Sequence, residues 1–304
     1  MSRRIHLPAL IAIALFPAWT CAGVSYTSLQ VLGDSLSDVG NVYLASGGAT
    51  PDPLVYWHGR ESNGPVWVED LANLLGLPPQ SPGGVAGTNG TNYAFYGAQA
   101  TGLPTLQPPP MNAQVTISLA KHTPSASDLY VLWGGTNDLS GGQFNATIPA
   151  NAIASQVSTL AAAGARQFLV GDLPPLGKTP AVRGTILESF ADQWAATFNS
   201  TLHTDLVSVQ KSYPDAQIHI LPTFDLFTGI LDGTIANPFK NVTDPAMNFP
   251  NDNPDDFLFW DSGHPTRAAH QFLANEAYNI LVPEPAAVFL LIVSALALRR
   301  PRAA

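Results

Sequence analysis

Cysteine is nearly missing from this chain: Cys21 is the only one in 304 residues. A lone thiol makes no intrachain disulfide, and it excludes paired-cysteine zinc sites and Cys-x-x-Cys redox chemistry. Basic residues are scarce as well. Five of the 13 Lys and Arg (Arg3, Arg4, Arg299, Arg300, Arg302) sit in the terminal segments, so residues 23–282 hold eight bases against 21 acids, a formal charge of −13. A surface of that sign repels a phosphate backbone, and nucleic acid is excluded as partner. Charged residues are only 12% of the chain and apolar ones 46%, which is the balance of a protein with a core and not of a disordered segment. The chain has no His-Glu-x-x-His, no Gly-x-x-x-x-Gly-Lys and no dinucleotide glycine pattern after a strand, so metalloprotease, phosphate-loop and nicotinamide chemistry lack their parts. Gly-x-Ser-x-Gly is absent too, which speaks against the sharp nucleophile elbow of the α/β-hydrolase lipases.

No apolar run is long enough for an unassisted membrane span. The first, residues 7–19, follows Arg3 and Arg4 and ends at Thr20-Cys21-Ala22, the charged, apolar and small-residue succession of a signal peptide. Residues 1–22 are therefore expected to be removed on export, taking the only cysteine with them. The second run, residues 286–298, is 13 residues long and apolar except for Ser294. A helix of that length covers about 20 Å, short of the hydrocarbon core. It lies between Val282-Pro283-Glu284-Pro285 and Arg299-Arg300-Pro301-Arg302. This arrangement resembles the PEP-CTERM sorting signal of Gram-negative bacteria, and the resemblance implies transient membrane anchoring, envelope sorting and processing machinery as partner, and a cell-surface or extracellular destination. A plain tail anchor is the alternative for residues 283–304.

Between these ends lies one expected domain, residues 23–282, without an internal repeat or an obvious linker. Short β-forming runs at 28–32, 129–133, 167–171 and 217–221 alternate with helical patterns at 151–163, 186–213 and 265–281. Strand, crossover helix and strand in succession predict a mainly parallel sheet covered on both faces, a three-layer α/β/α sandwich. Reactive groups in such sheets lie past the carboxyl ends of the strands. Those positions hold Gly33-Asp34-Ser35-Leu36 after the first run and Gly134-Gly135-Thr136-Asn137-Asp138 after the second.

Ser35, just past a strand and ahead of an expected helix, is the candidate nucleophile; alone, a serine there is as readily a helix cap. His264 is the candidate base, and Asp261, three residues earlier, is placed to fix its tautomer and stabilise the imidazolium. The other histidines, His58 and His270 among them, are expected on surfaces or helix faces. Asp34 and Asp38 are expected to hydrogen-bond turn backbone.

Four segments in order carry a family resemblance. Gly33-Asp34-Ser35-Leu36-Ser37-Asp38, Asn92-Tyr93-Ala94-Phe95-Tyr96-Gly97-Ala98, Gly135-Thr136-Asn137-Asp138 and Trp260-Asp261-Ser262-Gly263-His264-Pro265-Thr266 resemble the blocks of the GDSL esterases, a branch of the SGNH hydrolases. Gly59-Arg60-Glu61-Ser62-Asn63-Gly64-Pro65-Val66-Trp67 resembles a segment usual between the first two blocks, and its Arg60, Ser62 and Asn63 are candidates to brace the site or, equally, to cap a loop-to-helix junction. The resemblance implies an SGNH-type, flavodoxin-like sandwich and a secreted serine esterase that needs no cofactor or metal. It assigns Ser35, His264 and Asp261 to the catalytic triad. It also implies an oxyanion hole made by the backbone N–H groups of Ser35 and Gly97 and the side-chain amide of Asn137. Two positions depart from the pattern: Tyr96 stands where many relatives have a second glycine, and Glu61 where an aromatic is common. Asp172-Leu173-Pro174-Pro175-Leu176-Gly177 resembles a further family segment and is expected to wall the pocket. Short-chain acyl, lipid acyl and polysaccharide acetyl esters all suit such machinery, and thioesterase or transferase activity stays open. The rival from another class is a non-catalytic envelope protein that binds glycan on the same fold.

Overall fold

The computed structural model describes residues 25–103 and 107–283. The expected signal peptide and the tail from residue 284 onward lie outside the described residues. Along the described chain run β1 (Ser28–Gly33), α1 (Asn41–Ala45), α2 (Trp67–Leu74), α3 (Met111–Lys121), β2 (Asp128–Trp133), α4 (Thr136–Ser140) and α5 (Thr147–Ala162). There follow β3 (Gln167–Gly171), α6 (Glu188–Ser212), β4 (Gln217–Leu221), α7 (Thr223–Asp232), β5 (Asn241–Pro245), β6 (Phe257–Phe259) and α8 (Arg267–Leu281).

Strands β1 to β4 form one parallel sheet in that order, with Leu29 opposite Leu129 and Phe168 opposite Ile218. Alternation of side chains along each strand sorts the core into two faces. Leu32, Tyr130, Leu132, Phe168 and Val170 pack against α3, α5 and α6, whereas Leu29, Val31, Leu129, Val131 and Trp133 pack against α2, α7 and α8. The three-layer sandwich expected from the alternating pattern is therefore the fold. Trp67 of α2 meets Trp133 of β2 edge-on with centroids 5.5 Å apart, both buried; truncating a core aromatic of this kind costs about 3–5 kcal/mol.

An irregular segment completes the sheet. Val31 N–H donates to Thr91 O (2.9 Å) and Tyr93 N–H to Val31 O (2.7 Å), so residues 91–93 run parallel to the free edge of β1. With that segment as second strand in chain order, the lateral order becomes 2-1-3-4-5, the flavodoxin-like arrangement, with its switch point between β1 and β2. The turn after β1 carries Ser35, and α4, which follows β2, carries Asn137.

A small second sheet, in which β5 pairs parallel with β6, was not anticipated from the sequence. It matters because β6 feeds the loop of Asp261 and His264. That loop then closes through an antiparallel bridge of Phe259 with Pro265, and Thr266 caps α8 by accepting the Ala269 N–H (3.2 Å). No helix among the described residues is long and apolar enough to cross a membrane.

Candidate active site

Ser35 does not sit at a helix start, as the sequence suggested, but in a turn. Ser37 and Asp38 N–H both donate back to Asp34 O, and the first helix begins only at Asn41, after Gly40 with φ 109°. Asp38 explains the interruption. Its buried carboxylate accepts the N–H groups of Gly40 (2.8 Å) and Asn41 (2.6 Å), capping α1, and reaches across to accept the Tyr96 N–H (2.9 Å). One aspartate therefore ties the Ser35 turn to the loop of Gly97. Asp34 has the expected turn role, accepting the Leu36 N–H at 3.1 Å, while its other oxygen lies 3.4 Å from the Asn137 amide. Burial pushes the Asp34 carboxyl up to about 7, opposed by the Leu36 N–H and the His264 charge.

Asn137 opens the short helix after β2, and its Nδ2 donates to Ala98 O at 3.0 Å. Gly97 thus lies between Tyr96, held by Asp38, and Ala98, held by Asn137, with a left-handed φ of 78° that a glycine adopts without strain. Among the described residues neither the Ser35 nor the Gly97 N–H donates to any acceptor. Gly135, ahead of Asn137, has φ 121°, and a Cβ there would stand 2.7 Å from the Phe198 ring. Gly135→Ala is therefore expected to lose about 2–5 kcal/mol in urea unfolding; an unchanged midpoint would show that the Asn137 turn does not need this conformation.

The last loop supplies the acid and the imidazole. Asp261 Oδ1 accepts the N–H groups of Gly263 (2.8 Å) and His264 (2.7 Å), which shapes the turn. Asp261 Oδ2 faces His264 Nδ1 at 2.8 Å, and His264 Nε2 faces Ser35 Oγ at 2.9 Å. An ionised Asp261 only accepts, so the proton of the neutral ring belongs on Nδ1 and Nε2 is left to accept from the serine hydroxyl. Burial raises the Asp261 carboxyl, but the bond and charge of His264 and the two N–H groups outweigh it and hold it at about 2. Burial lowers His264, yet Asp261, Glu61 and Asp34 together bring it above its ordinary value.

Two neighbours of this line escaped the sequence analysis. Tyr56 OH donates to Asp261 Oδ2 at 2.8 Å. Glu61, noted only as a departure from a pattern, is buried with Oε2 3.7 Å from His264 Nδ1. Of its neighbours, Ser62 Oγ donates to Pro265 O (3.0 Å) and Asn63 Oδ1 accepts the Arg267 N–H (2.7 Å), bracing the chain just after His264, whereas Arg60 bonds Glu69 at the start of α2. His270, expected on a helix face, is instead in the core, where Nδ1 accepts the Trp67 N–H at 3.3 Å and burial lowers its pKa to about 3. Glu61, Asp261 and His264 are also the one group among the described residues with donor types and spacing to hold a cation. A cation there would have to displace the proton that Asp261 and His264 share.

All of this opens into a cleft of about 380 Å³, lined by Ser35, His264, Asn137 and Tyr96 and walled by Pro174 and Leu176 of the β3–α6 loop. The Tyr96 ring lies 6.4 Å from the imidazole, which narrows the cleft where a glycine would widen it.

A parallel α/β/α sandwich with hydroxyl, imidazole and carboxylate in line at its switch point has the equipment of an ester-hydrolysing enzyme. Residues 29–277 match the family model described as GDSL-like Lipase/Acylhydrolase, and the chain belongs to that family of ester hydrolases. Among curated relatives, the thermolabile hemolysin of Vibrio parahaemolyticus is 28% identical over 271 residues, covering 81% of this chain and 61% of that protein. The phosphatidylcholine-sterol acyltransferase of Aeromonas hydrophila is 30% identical over 189 residues, 59% of this chain and 53% of that one. The chain thus spans between half and two thirds of the length of these two relatives. A solved acetylxylan esterase from Geobacillus stearothermophilus aligns with a TM-score of 0.47 at 15% identity, over 85% of this chain and 96% of that one.

Proposed function

We propose that the protein is a serine esterase in which Ser35, His264 and Asp261 form the catalytic triad. The observation that carries this reading is the unbroken line from Asp261 Oδ2 through the imidazole to Ser35 Oγ, with contacts of 2.8 and 2.9 Å, opening on a cleft. Ser35 Oγ attacks the ester carbonyl carbon as His264 Nε2 takes its proton, and the carbonyl oxygen becomes an oxyanion. The Ser35 and Gly97 N–H groups and the Asn137 amide donate to that oxyanion. His264 then returns the proton to the departing alkoxide, which leaves as the alcohol. Water, deprotonated by the same imidazole, attacks the acyl group and releases the acid together with the regenerated serine.

The substrate is a carboxylic ester with an aliphatic acyl chain. The lining of the cleft includes Leu36, Leu139, Pro174, Leu176 and Val182, apolar side chains suited to an acyl chain longer than acetate. Phe190, the chain neighbour of Ala191 in the lining, and Phe144 form an exposed edge-on pair with centroids 6.1 Å apart, apolar surface suited to a lipid ester. The name of the Aeromonas relative, phosphatidylcholine-sterol acyltransferase, points to the same substrate class. Each methylene buried in the cleft contributes about 0.8 kcal/mol, or about fourfold in kcat/KM. A p-nitrophenyl ester series from acetate upward is expected to rise accordingly, and Val182→Trp to flatten that rise while leaving acetate turnover within about twofold. A maximum at acetate, unaffected by Val182→Trp, would favour polysaccharide acetyl esters instead. Export and envelope sorting are part of the same proposal; they are supported by the composition of residues 1–22 and 283–304, and N-terminal sequencing of protein recovered outside the cytoplasm tests them.

A further inference from the structure

We propose that Glu61 is a second carboxylate partner of His264, a positioning residue that shares with Asp261 the stabilisation of the proton on Nδ1. The proposal rests on the triad described above. Its ground is the position of a buried acid with no cation of its own. Glu61 is 5% exposed, and its Oε2 lies 3.7 Å from Nδ1, on the same ring nitrogen that Asp261 contacts at 2.8 Å. Arg60, its chain neighbour, is turned away and committed to Glu69 through two hydrogen bonds. Among the described residues, the donors that face Glu61 are His264 and Tyr56.

A carboxylate taken out of water without a fixed positive partner is costly, and it is either neutralised by a proton or met by a neighbouring positive charge. His264 provides such a charge. The ring is neutral while it waits to accept the serine proton and positive once it has done so. Burial pushes the Glu61 carboxyl up to about 7, with His264 pulling it down and Asp261 and Asp38 raising it further. Loss of the His264 charge therefore favours the protonated acid, and an imidazolium 3.7 Å away favours the anion. Stabilisation that grows with the charge of the transition state raises kcat, whereas equal stabilisation of the ground state would not. The segment is clamped to its target: Ser62 bonds Pro265 O and Asn63 bonds the Arg267 N–H, so Glu61 moves with the His264 loop.

The pH dependence has a definite sign. Groups facing His264 are Asp261 on its own loop, Glu61 and Tyr56 from the 56–62 segment, Asp34 from the nucleophile turn and Tyr96 from the opposite wall, with Arg267 and His270 behind on α8. The base works only when neutral, so kcat/KM falls as pH drops through its pKa. Removing a negative neighbour lowers that pKa and moves the acid limb to lower pH.

The test uses Glu61→Gln and Glu61→Phe, the latter placing at this position the aromatic common in the family segment, with kcat/KM against pH on one p-nitrophenyl ester. Both variants are expected to shift the acid limb down by about half a pH unit or more, and to lower kcat about threefold with KM little changed. In an Asp261→Asn background Glu61→Gln is expected to cost about tenfold or more, because Glu61 is then the only carboxylate on Nδ1. An acid limb at its original pH in both variants, or the same loss in both backgrounds, overturns the proposal. Ser35→Ala, run alongside, separates the two levels: full turnover without Ser35 sinks the triad itself, whereas a dead Ser35→Ala with unshifted Glu61 variants sinks only the role of Glu61.

Discussion

His264→Ala lowers kcat/KM on a p-nitrophenyl ester by about 10⁴-fold or more, and Ser35→Ala and the double variant fall to the same floor. The expectation follows from the geometry. Among the described residues Ser35 Oγ has one basic neighbour in the hydrogen-bond network, Nε2 of His264 at 2.9 Å, and without it the hydroxyl keeps its proton at neutral pH. Members of one relay act as a unit, so the second deletion adds little to the first. His270 provides a contrast within the same helix region. It is buried and accepts the Trp67 N–H, so its replacement draws on stability and leaves the chemistry to His264. Losses in the two single variants that multiplied in the double one would show that Ser35 and His264 act independently.

The second large effect is expected at Asn137. Asn137→Ala lowers kcat by about 10²- to 10³-fold with little change in KM, the signature of a donor that engages the oxyanion more strongly than the ground-state carbonyl. One N–H of the amide is fixed on Ala98 O at 3.0 Å, and Asp34 Oδ2 at 3.4 Å is too distant to hold the other firmly. In the proposed oxyanion hole that second hydrogen is the one that meets the substrate oxygen. The Ser35 and Gly97 N–H groups remain in the variant and preserve part of the stabilisation. A matching circular dichroism spectrum establishes that the fold persists; a near-original kcat would remove Asn137 from the oxyanion hole.

Much of this architecture is legible in the sequence because it obeys simple periods. β2 alternates Leu129, Val131 and Trp133 toward one layer with Tyr130 and Leu132 toward the other, and all four strands were anticipated to within a residue at each end. Residues 35, 97, 137, 261 and 264, remote in sequence, were singled out because they occur in ordered blocks, and of these 35, 264 and 261 come into direct hydrogen-bond contact. Segments without a period were not legible. Residues 91–93 pair with β1 through isolated backbone bonds, and β5, with Asn241 and Pro245 at its ends, has little strand character. The turn at Ser35 was missed because Gly40 and the capping carboxylate of Asp38 delay the helix, an effect of backbone geometry that residue types announce weakly. His270 could have been placed: Ala269, His270, Leu273, Ala274, Ala277 and Leu281 mark the buried stripe of α8 at helical spacing. Tyr56 and Glu61 left no such signal, since their contacts with Asp261 and His264 bridge about 200 positions of chain.

The most direct test of the central claim is to find which atom becomes covalently bound during acyl transfer. The full-length protein is treated with a fluorophosphonate, which captures an activated serine, and the modified residue is located by peptide mass spectrometry. A single adduct on Ser35, formed in step with loss of esterase activity and absent from His264→Ala, is the predicted result. Activity lost with the adduct on another residue, or Ser35 unmodified while activity disappears, would contradict the account.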